Sequence, residues 1–366
     1  MGPGSRLRLA RDDIFELMRA EEVLMADVII HRRGAAGRIT LNRPQALHAL
    51  NEEMCLAMDA ALKSWADEPE VELIVVDHAE GTRGFCAGGD IRMLAESGAH
   101  DGSAAQAFFW AEYRLNTRIK NYPKPYVAFI DGVTMGGGVG ISVHGSHRVA
   151  TERTTFAMPE TGIGLFPDVG GGWFLPRLGP PLGMWLALTG ERLKGGDVCA
   201  AGIATHFAES LVVDALKTSV CEGSLEMLNA MDWDEAGSFE KHMDVIERCF
   251  WQESVENIFL ALEAEPGDWA KGQLAALKTK SPRTLKVAHR QLREGLKMTT
   301  FEDNMRMEFR IGSRQVHSHD FQEGVRAVIV DKDNAPKWDP PNLAGVDDLM
   351  LEEIFAPLAE GELTFD

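Results

Sequence analysis

Two short apolar runs, residues 71–76 (VELIVV) and 126–130 (YVAFI), each lead into consecutive glycines and then into a helix-like segment. No other feature limits the fold as much. Compact runs of this kind, rich in β-branched and aromatic residues, read as strands buried on both faces, which is the environment of a parallel sheet. The first run precedes Gly88-Gly89-Asp90 and a predicted helix over 91–96; the second precedes Gly136-Gly137-Gly138 and a predicted helix over 139–147. Strand, glycine turn and helix in repetition predict an α/β core.

The flanking segments fit around such a core. Residues 28–31 and 38–41 are apolar-rich and joined by Gly34-Ala35-Ala36-Gly37, which predicts a hairpin. Asn51 is a good helix N-cap, and Met54, Met58, Leu62 and Trp65 follow at spacings of four, four and three, placing one apolar stripe on a helix. The stretch 210–280 is acidic and rich in helix formers. Ser281-Pro282 then supplies an N-cap and first-turn proline ahead of Leu285, Ala288 and Leu292. The expected organisation is therefore an N-terminal extension over 1–25, a core over 26–210 and a mainly helical region over 211–366. Within the extension, Met1-Gly2-Pro3-Gly4-Ser5 looks like an expression remnant, and 6–25 suits a surface helix.

Charge and cysteines exclude several function classes. A formal net charge of -19 repels phosphate backbones over most of the surface, and no basic patch counters it, so nucleic acid is not an expected partner. A polyanionic ligand must be held by local cations. No run approaches the roughly 18 uninterrupted apolar residues of a membrane helix, so no membrane partner is expected. The five cysteines are scattered, with no CxxC pair and no histidine at ligand spacing. The expectation is free thiols, a cytoplasmic location and no metal.

The chemistry is concentrated near the glycines. A strand that ends in glycines and turns into a helix leaves backbone N–H groups unpaired, with the positive end of the helix dipole behind them. Two such turns on neighbouring strands can donate one N–H each to a carbonyl that is gaining negative charge. Taken singly, each turn is most simply a tight packing turn. The third element is MPETGIGLFPDVGGG at 158–172, where Glu160 and Asp168 lie eight positions apart among apolar residues and glycines. Desolvation makes an idle carboxylate costly there, so each is either a cap or a functional group.

FCAGGDIRML at 85–94, KPYVAFIDGVTMGGGVGISVHG at 124–145 and FAMPETGIGLFPDVGGGWFLPRLG at 156–179 resemble the crotonase, or enoyl-coenzyme A hydratase/isomerase, superfamily. Within it they are most similar to the branch that hydrolyses 3-hydroxyisobutyryl-coenzyme A in valine breakdown. The likeness continues through LALTGERLKGGDVCAAGIATHF at 186–207 and SPRTLK, HDFQEGVRAVIVDKD and PKW within 281–338, and is weakest over about 210–280.

The resemblance implies a spiral of ββα units forming two roughly perpendicular sheets, with a helical C-terminal region covering the acyl site or mediating assembly. It implies oxyanion-hole amides at Gly89 and Gly137, catalytic carboxylates at Glu160 and Asp168, and substrate contacts from Glu112, Ala87, Gly88 and Asp90. Glu112 rests on the resemblance alone; on its own it reads as a solvated helical charge. The implied partner is a small acyl-coenzyme A substrate, with no separate cofactor because coenzyme A belongs to the substrate. Self-association stays open, since the superfamily suggests trimers that the hydrolase branch need not follow.

The departures concern hydration. The hydratases carry a second catalytic glutamate just after the glycine triplet, where this chain has Gly140, and a glycine where it has Asp168. Adding water across a double bond requires an acid and a base on the two ends, so losing one glutamate favours thioester hydrolysis over hydration. In that reaction Gly89 and Gly137 polarise the carbonyl, while Glu160 acts as general base or attacks to give a mixed anhydride. Asp168 bonds the 3-hydroxyl or assists proton transfer, and its proximity to Glu160 raises a pKa of the pair.

Other signals carry less. Cys86 with His144 or His147 could form a nucleophile pair, but packing is the simpler role. Ser142 in GISVH fails the GxSxG elbow. Neither a GxxxxGK[ST] nor a GxGxxG phosphate loop is present. Lys332, Arg326 and Lys337 are the expected candidates for meeting the ligand's phosphates.

Overall fold

The computed structural model describes residues 22–25, 27–231 and 233–365. The surface-helix reading of 6–25 falls outside these residues except at its end, where Glu22–Met25 forms a strand, β1, rather than a helix. It pairs antiparallel with β2 (Val28–Arg33), which pairs antiparallel with β3 (Ala36–Leu41). The hairpin is tighter than its sequence suggested, since both strands extend into the loop and leave Gly34-Ala35 as the turn.

Parallel strands follow. β4 (Leu73–His78) lies beside β3, and β5 (Gly84–Cys86) starts a second sheet. The pattern then repeats: β6 (Tyr126–Phe129) pairs with β4 while β7 (Val133–Met135) pairs with β5, and β8 (His147–Ala150) pairs with β6 while β9 (Thr155–Ala157) pairs with β7. Completed by β10 (Leu193–Lys194) and β11 (His206–Phe207), the sheets have the orders β1-β2-β3-β4-β6-β8-β11 and β10-β9-β7-β5. Each repeat thus places one strand in the large sheet and one in the small sheet before the chain turns. The glycine turns follow small-sheet strands, not the apolar runs directly.

Two of the element bounds that differ from the sequence reading have a visible physical reason. β4 continues through Asp77 and His78 because Asp77, fully buried, accepts hydrogen bonds from Arg38 (2.7 Å) and Thr40 (2.7 Å) and lies 3.3 Å from Lys217 Nζ. A satisfied charge can stay inside a strand where an unpaired one would end it. The helix expected over 139–147 shrinks to Gly137–Gly140. The Tyr126 hydroxyl takes the Ile141 carbonyl (2.8 Å), and His147 is already the first residue of β8.

Helices cover the sheets. Asn51 caps the helix Glu52–Ala66 by accepting from the Met54 N–H (2.8 Å), and Met54, Met58, Leu62 and Trp65 are buried as the spacing required. The C-terminal region is helical. Ser281 caps Pro282–Lys297 through the Thr284 N–H (3.1 Å), and that helix packs on the turn Gly171–Phe174. The helix Phe301–Gln315 packs against Ser103–Lys120. The main apolar core runs without interruption from the hairpin through these C-terminal helices.

Asn51 also donates to Asp27 (2.9 Å), so its side chain joins the hairpin to the first core helix. Asn51→Ala should lower the unfolding free energy by about 0.5–2 kcal/mol in urea titrations, and Asn51→Ser, which keeps only the cap, should recover part of that loss. Wild-type stability in Asn51→Ala would show that neither bond matters.

Candidate active site

Because β5, β7 and β9 are parallel, the segments that follow them leave the small sheet along the same edge. The first carries Gly88-Gly89, the second Gly136-Gly137 and the third Glu160. The two glycine turns are in close approach. A β-carbon added to Gly136 would lie 3.3 Å from Gly88 Cα, and one added to Gly137 would lie 3.2 Å from the Gly88 carbonyl carbon. Gly136 also has φ +45, a conformation that L side chains adopt rarely. Neither Gly89 N–H nor Gly137 N–H has a hydrogen-bond acceptor among the described residues. Gly89 immediately precedes the N-cap of the helix Ile91–Gly98, and Gly137 opens Gly137–Gly140, so both amides are available to an oxyanion.

A small cavity of about 70 Å³ opens at this edge. It is lined by Ala87, Gly88, Gly89, Glu112, Gly137, Glu160 and Asp168, with Phe108, Phe109, Met135 and Leu165 supplying apolar wall. The structure therefore gathers every expected site residue except Asp90. Asp90 caps the helix Ile91–Gly98 through the Met93 N–H (3.3 Å) and pairs with Arg43 (2.8 Å), so its carboxylate shapes the turn and does not line the cavity. Glu112 is not the solvated charge that its helical setting suggested: it is buried, and its Oε1 would lie 2.5 Å from a β-carbon at Gly137.

Three carboxylates thus share an apolar cavity. Glu112 Oε1 and Glu160 Oε2 are buried with no hydrogen-bond partner among the described residues. Burial holds Glu160 well above the ordinary glutamate range, and the neighbouring Asp168 charge adds to the effect. Glu112 is raised by burial first and then by Asp168 and Glu160. Asp168 is pushed up to about 7 by burial, against the pull of a hydrogen bond from the Tyr113 hydroxyl at 2.9 Å. The expected rise within the Glu160 and Asp168 pair is present, but desolvation contributes more than mutual repulsion.

Sequence reasoning missed the residues that hold the Asp168 loop. Glu308, fully buried, accepts from the Gly170 N–H (2.7 Å) and Gly172 N–H (2.9 Å), and from Asn304 (2.8 Å) and Gln291 (3.0 Å). Gln291 also reaches the Pro167 carbonyl (2.7 Å), and His144 bonds the Val169 carbonyl (2.7 Å). Between these anchors Val169 sits at φ +51, a strained backbone for a β-branched residue. The available signal was the placement of Glu308, Asn304 and Gln291 on the buried faces of two helices, visible only once those faces are known.

The discounted signals are accounted for. Cys86 is buried, donates to the His48 carbonyl (3.1 Å) and has its thiol pushed up to about 12 by burial; His144 is turned to Val169. Ser142 donates to the Gly138 carbonyl (2.7 Å). Arg326 is committed to Glu323, Asp331 and Asp333, so it is not a free cation for a phosphate. Lys332 and Lys337 are exposed and outside the cavity lining. The cation near Glu160 is Lys280, whose Nζ would lie 3.3 Å from a β-carbon on Gly162.

Gly140 bears on the expected reaction class. A β-carbon there would lie 2.6 Å from Val169 Cβ and 2.9 Å from Asn116 Nδ2, so the position has no room for a glutamate. The space is closed by the loop that presents Asp168.

The enoyl-CoA hydratase/isomerase family model matches residues 36–355. A mouse protein named 3-hydroxyisobutyryl-CoA hydrolase, mitochondrial, is 49% identical, with 93% of this chain and 91% of the relative covered. The human protein of that name is 46% identical over the same shares, 93% and 91%. Among solved structures, one described as a carnitinyl-CoA dehydratase from Mycobacterium thermoresistibile superposes with a TM-score of 0.89 at 38% identity, covering 93% of this chain and 99% of that one. Another, an enoyl-CoA hydratase from Rhodobacter sphaeroides, gives 0.87 at 39% identity, covering 93% and 100%. The fold is the crotonase fold. The relatives are named mitochondrial, which the cytoplasmic expectation does not match, and the free state of the described cysteines does not name a compartment. No helix among the described residues is long and apolar enough to cross a membrane.

An acid whose pKa is raised by folding keeps a proton that the unfolded chain releases, so its contribution to stability falls as pH rises from the ordinary aspartate value of about 3.9. For Asp168 the fall ends near the folded value of about 7. Asp168→Asn removes this dependence and still accepts from Tyr113. It should match wild type in urea unfolding near pH 4 and exceed it by about 1–4 kcal/mol at pH 8. A stability gap that does not vary with pH would mean that Asp168 titrates normally in the folded protein.

Proposed function

This chain belongs to the enoyl-CoA hydratase/isomerase family, and from that premise we propose that it is an acyl-CoA thioester hydrolase acting on 3-hydroxyisobutyryl-CoA. The observation that carries this reading is the pairing of an open Glu160 and Asp168 site with a closed position at Gly140. Hydration needs two groups acting on the two ends of a double bond, and the place of the second is taken by Val169. The hydrolase names of the relatives at 46–49% identity agree with that chemistry, whereas the hydratase and dehydratase names belong to structures at 38–39%.

The thioester carbonyl lies against the Gly89 and Gly137 amides, which stabilise the oxyanion that forms as the carbonyl carbon becomes tetrahedral; loss of one such donor commonly costs roughly 3–4 kcal/mol. Glu160 supplies the base that takes a proton from attacking water, or the oxygen that attacks to give a mixed anhydride that water then cleaves to release the acid. On either route the C–S bond breaks, and the departing thiolate recovers a proton. Burial in an apolar cavity raises the proton affinity of Glu160, which strengthens it as a base once ionised. Asp168 accepts a hydrogen bond from the 3-hydroxyl. A buried carboxylate left without that partner costs several kcal/mol, so deoxy thioesters are rejected. Glu112, beside the Gly137 turn, contacts the substrate near its carbonyl.

Glu160→Gln should lower kcat at least about 100- to 1000-fold with little change in KM, because it removes both the base and the attacking oxygen. The measurement is thiol release from short acyl-CoA thioesters with and without a 3-hydroxyl, alongside loss of absorbance from a 2-enoyl-CoA. Retained thioesterase activity in folded Glu160→Gln would overturn the assignment. Efficient hydration of the enoyl thioester by wild type would overturn the reaction class.

A further inference from the structure

Tyr113 enters the site through Asp168 and not through the cavity wall. It follows Glu112 on the helix Ser103–Lys120, its side chain is fully buried, and its hydroxyl donates to Asp168 Oδ2 at 2.9 Å. The ring is held by Phe109, with centroids 5.5 Å apart, and by Phe309 at 6.4 Å. A β-carbon on Gly312 would lie 3.5 Å from the hydroxyl, so the facing helix leaves it just enough room. Tyr113 is the one side chain that donates to Asp168 among the described residues, and Asp168 Oδ1 makes no bond to another side chain there.

Apart from its own backbone amide, the remaining surroundings of Asp168 oppose its charge. Glu112 comes from the same helix as Tyr113, Glu160 from the turn after β9 and Glu308 from Phe301–Gln315. His144, held near pH 3 by burial and turned to the Val169 carbonyl, contributes no charge at neutral pH. Lys280 acts on Glu160 across the Gly162 turn. Tyr113 is therefore the side chain that helps keep Asp168 an acceptor, and its bond to Oδ2 leaves Oδ1 free of other side chains.

We propose that Tyr113 is a positioning residue that sets the preference for 3-hydroxylated acyl groups by fixing Asp168 as an oriented acceptor. This rests on the reading that Asp168 receives the substrate hydroxyl. A protonated Asp168 would offer a weaker, neutral hydrogen bond, and a carboxyl group without Tyr113 would lose its fixed rotamer. Discrimination should suffer more than chemistry at the thioester, where Glu160 and the two amides stay in place.

The test compares kcat/KM for 3-hydroxyisobutyryl-CoA and isobutyryl-CoA across pH in wild type, Tyr113→Phe, Asp168→Asn and the double variant. In Tyr113→Phe the preference for the hydroxylated substrate should fall about tenfold or more, as expected for loss of a charge-assisted hydrogen bond, and the acid limb of its profile should move up by about one pH unit. The double variant should discriminate no worse than Asp168→Asn alone, because both changes act on one interaction. Equal proportional losses for the two substrates in Tyr113→Phe, or an unmoved acid limb, would reduce Tyr113 to packing and overturn the proposal. Additive losses in the double variant would place Tyr113 on a route that bypasses Asp168. If Tyr113→Phe does not fold, the comparison of wild type with Asp168→Asn still decides, since unchanged discrimination there removes the target through which Tyr113 acts. Absence of any hydroxyl preference in wild type would sink the Asp168 reading itself and the proposal with it, whereas a normal preference that survives Tyr113→Phe would sink the proposal alone.

Discussion

The parallel pairing of β5 with β7 and of β7 with β9 sets three chain segments side by side at one sheet edge, and the site is made of what those segments carry. Parallel strands all end on the same side, so a repeat that delivers each chain end to the small sheet also delivers its following turn to one place. Two of the turns are glycine and present bare backbone amides. The third begins with Glu160. Side chains between the turns would crowd this pairing, since a β-carbon on Gly136 or Gly137 would stand only 3.3 or 3.2 Å from Gly88.

This arrangement concentrates negative charge where water is scarce. Glu112, Glu160, Asp168 and Glu308 lie close enough to influence one another, and burial raises all four. The structure offsets the cost unevenly. Glu308 receives two backbone amides and two side-chain amides, and Asp168 receives one hydroxyl, whereas Glu112 and Glu160 each keep an oxygen unpartnered. The supporting carboxylate is satisfied, whereas Glu112 and Glu160 keep an oxygen free for a ligand or water.

Much of this was legible in the sequence because it is local. The glycine turns, the Asn51 and Ser281 caps, the apolar stripe from Met54 to Trp65 and the carboxylates of MPETGIGLFPDVGGG are each read from a few adjacent residues. What was not legible depends on distant partners. β4 extends through Asp77 because Arg38 and Lys217 meet it there; Glu112 is buried because a helix face turns toward the Gly137 loop; Arg326 is unavailable because three acids close around it. The segment after the glycine triplet misled in the opposite direction. Its apolar residues suggested a long helix, but the Ile141 carbonyl is taken by Tyr126, and the next strand begins at His147.

The Glu308 bonds to Gly170 and Gly172 span more than a hundred residues of sequence, from the last part of the chain to the loop that presents Asp168. With Gln291 and Asn304 they make the C-terminal helices the floor on which that loop stands, and Val169 keeps its strained backbone only while the floor is in place. The boundary near residue 210 is therefore a boundary in composition and not in mechanism. A gene carrying only the sheets would encode the oxyanion turns and Glu160 but not a placed Asp168, and exchange of C-terminal regions between relatives would graft a foreign support under a native loop. Substitutions beneath the loop can therefore move Asp168 without touching a cavity residue.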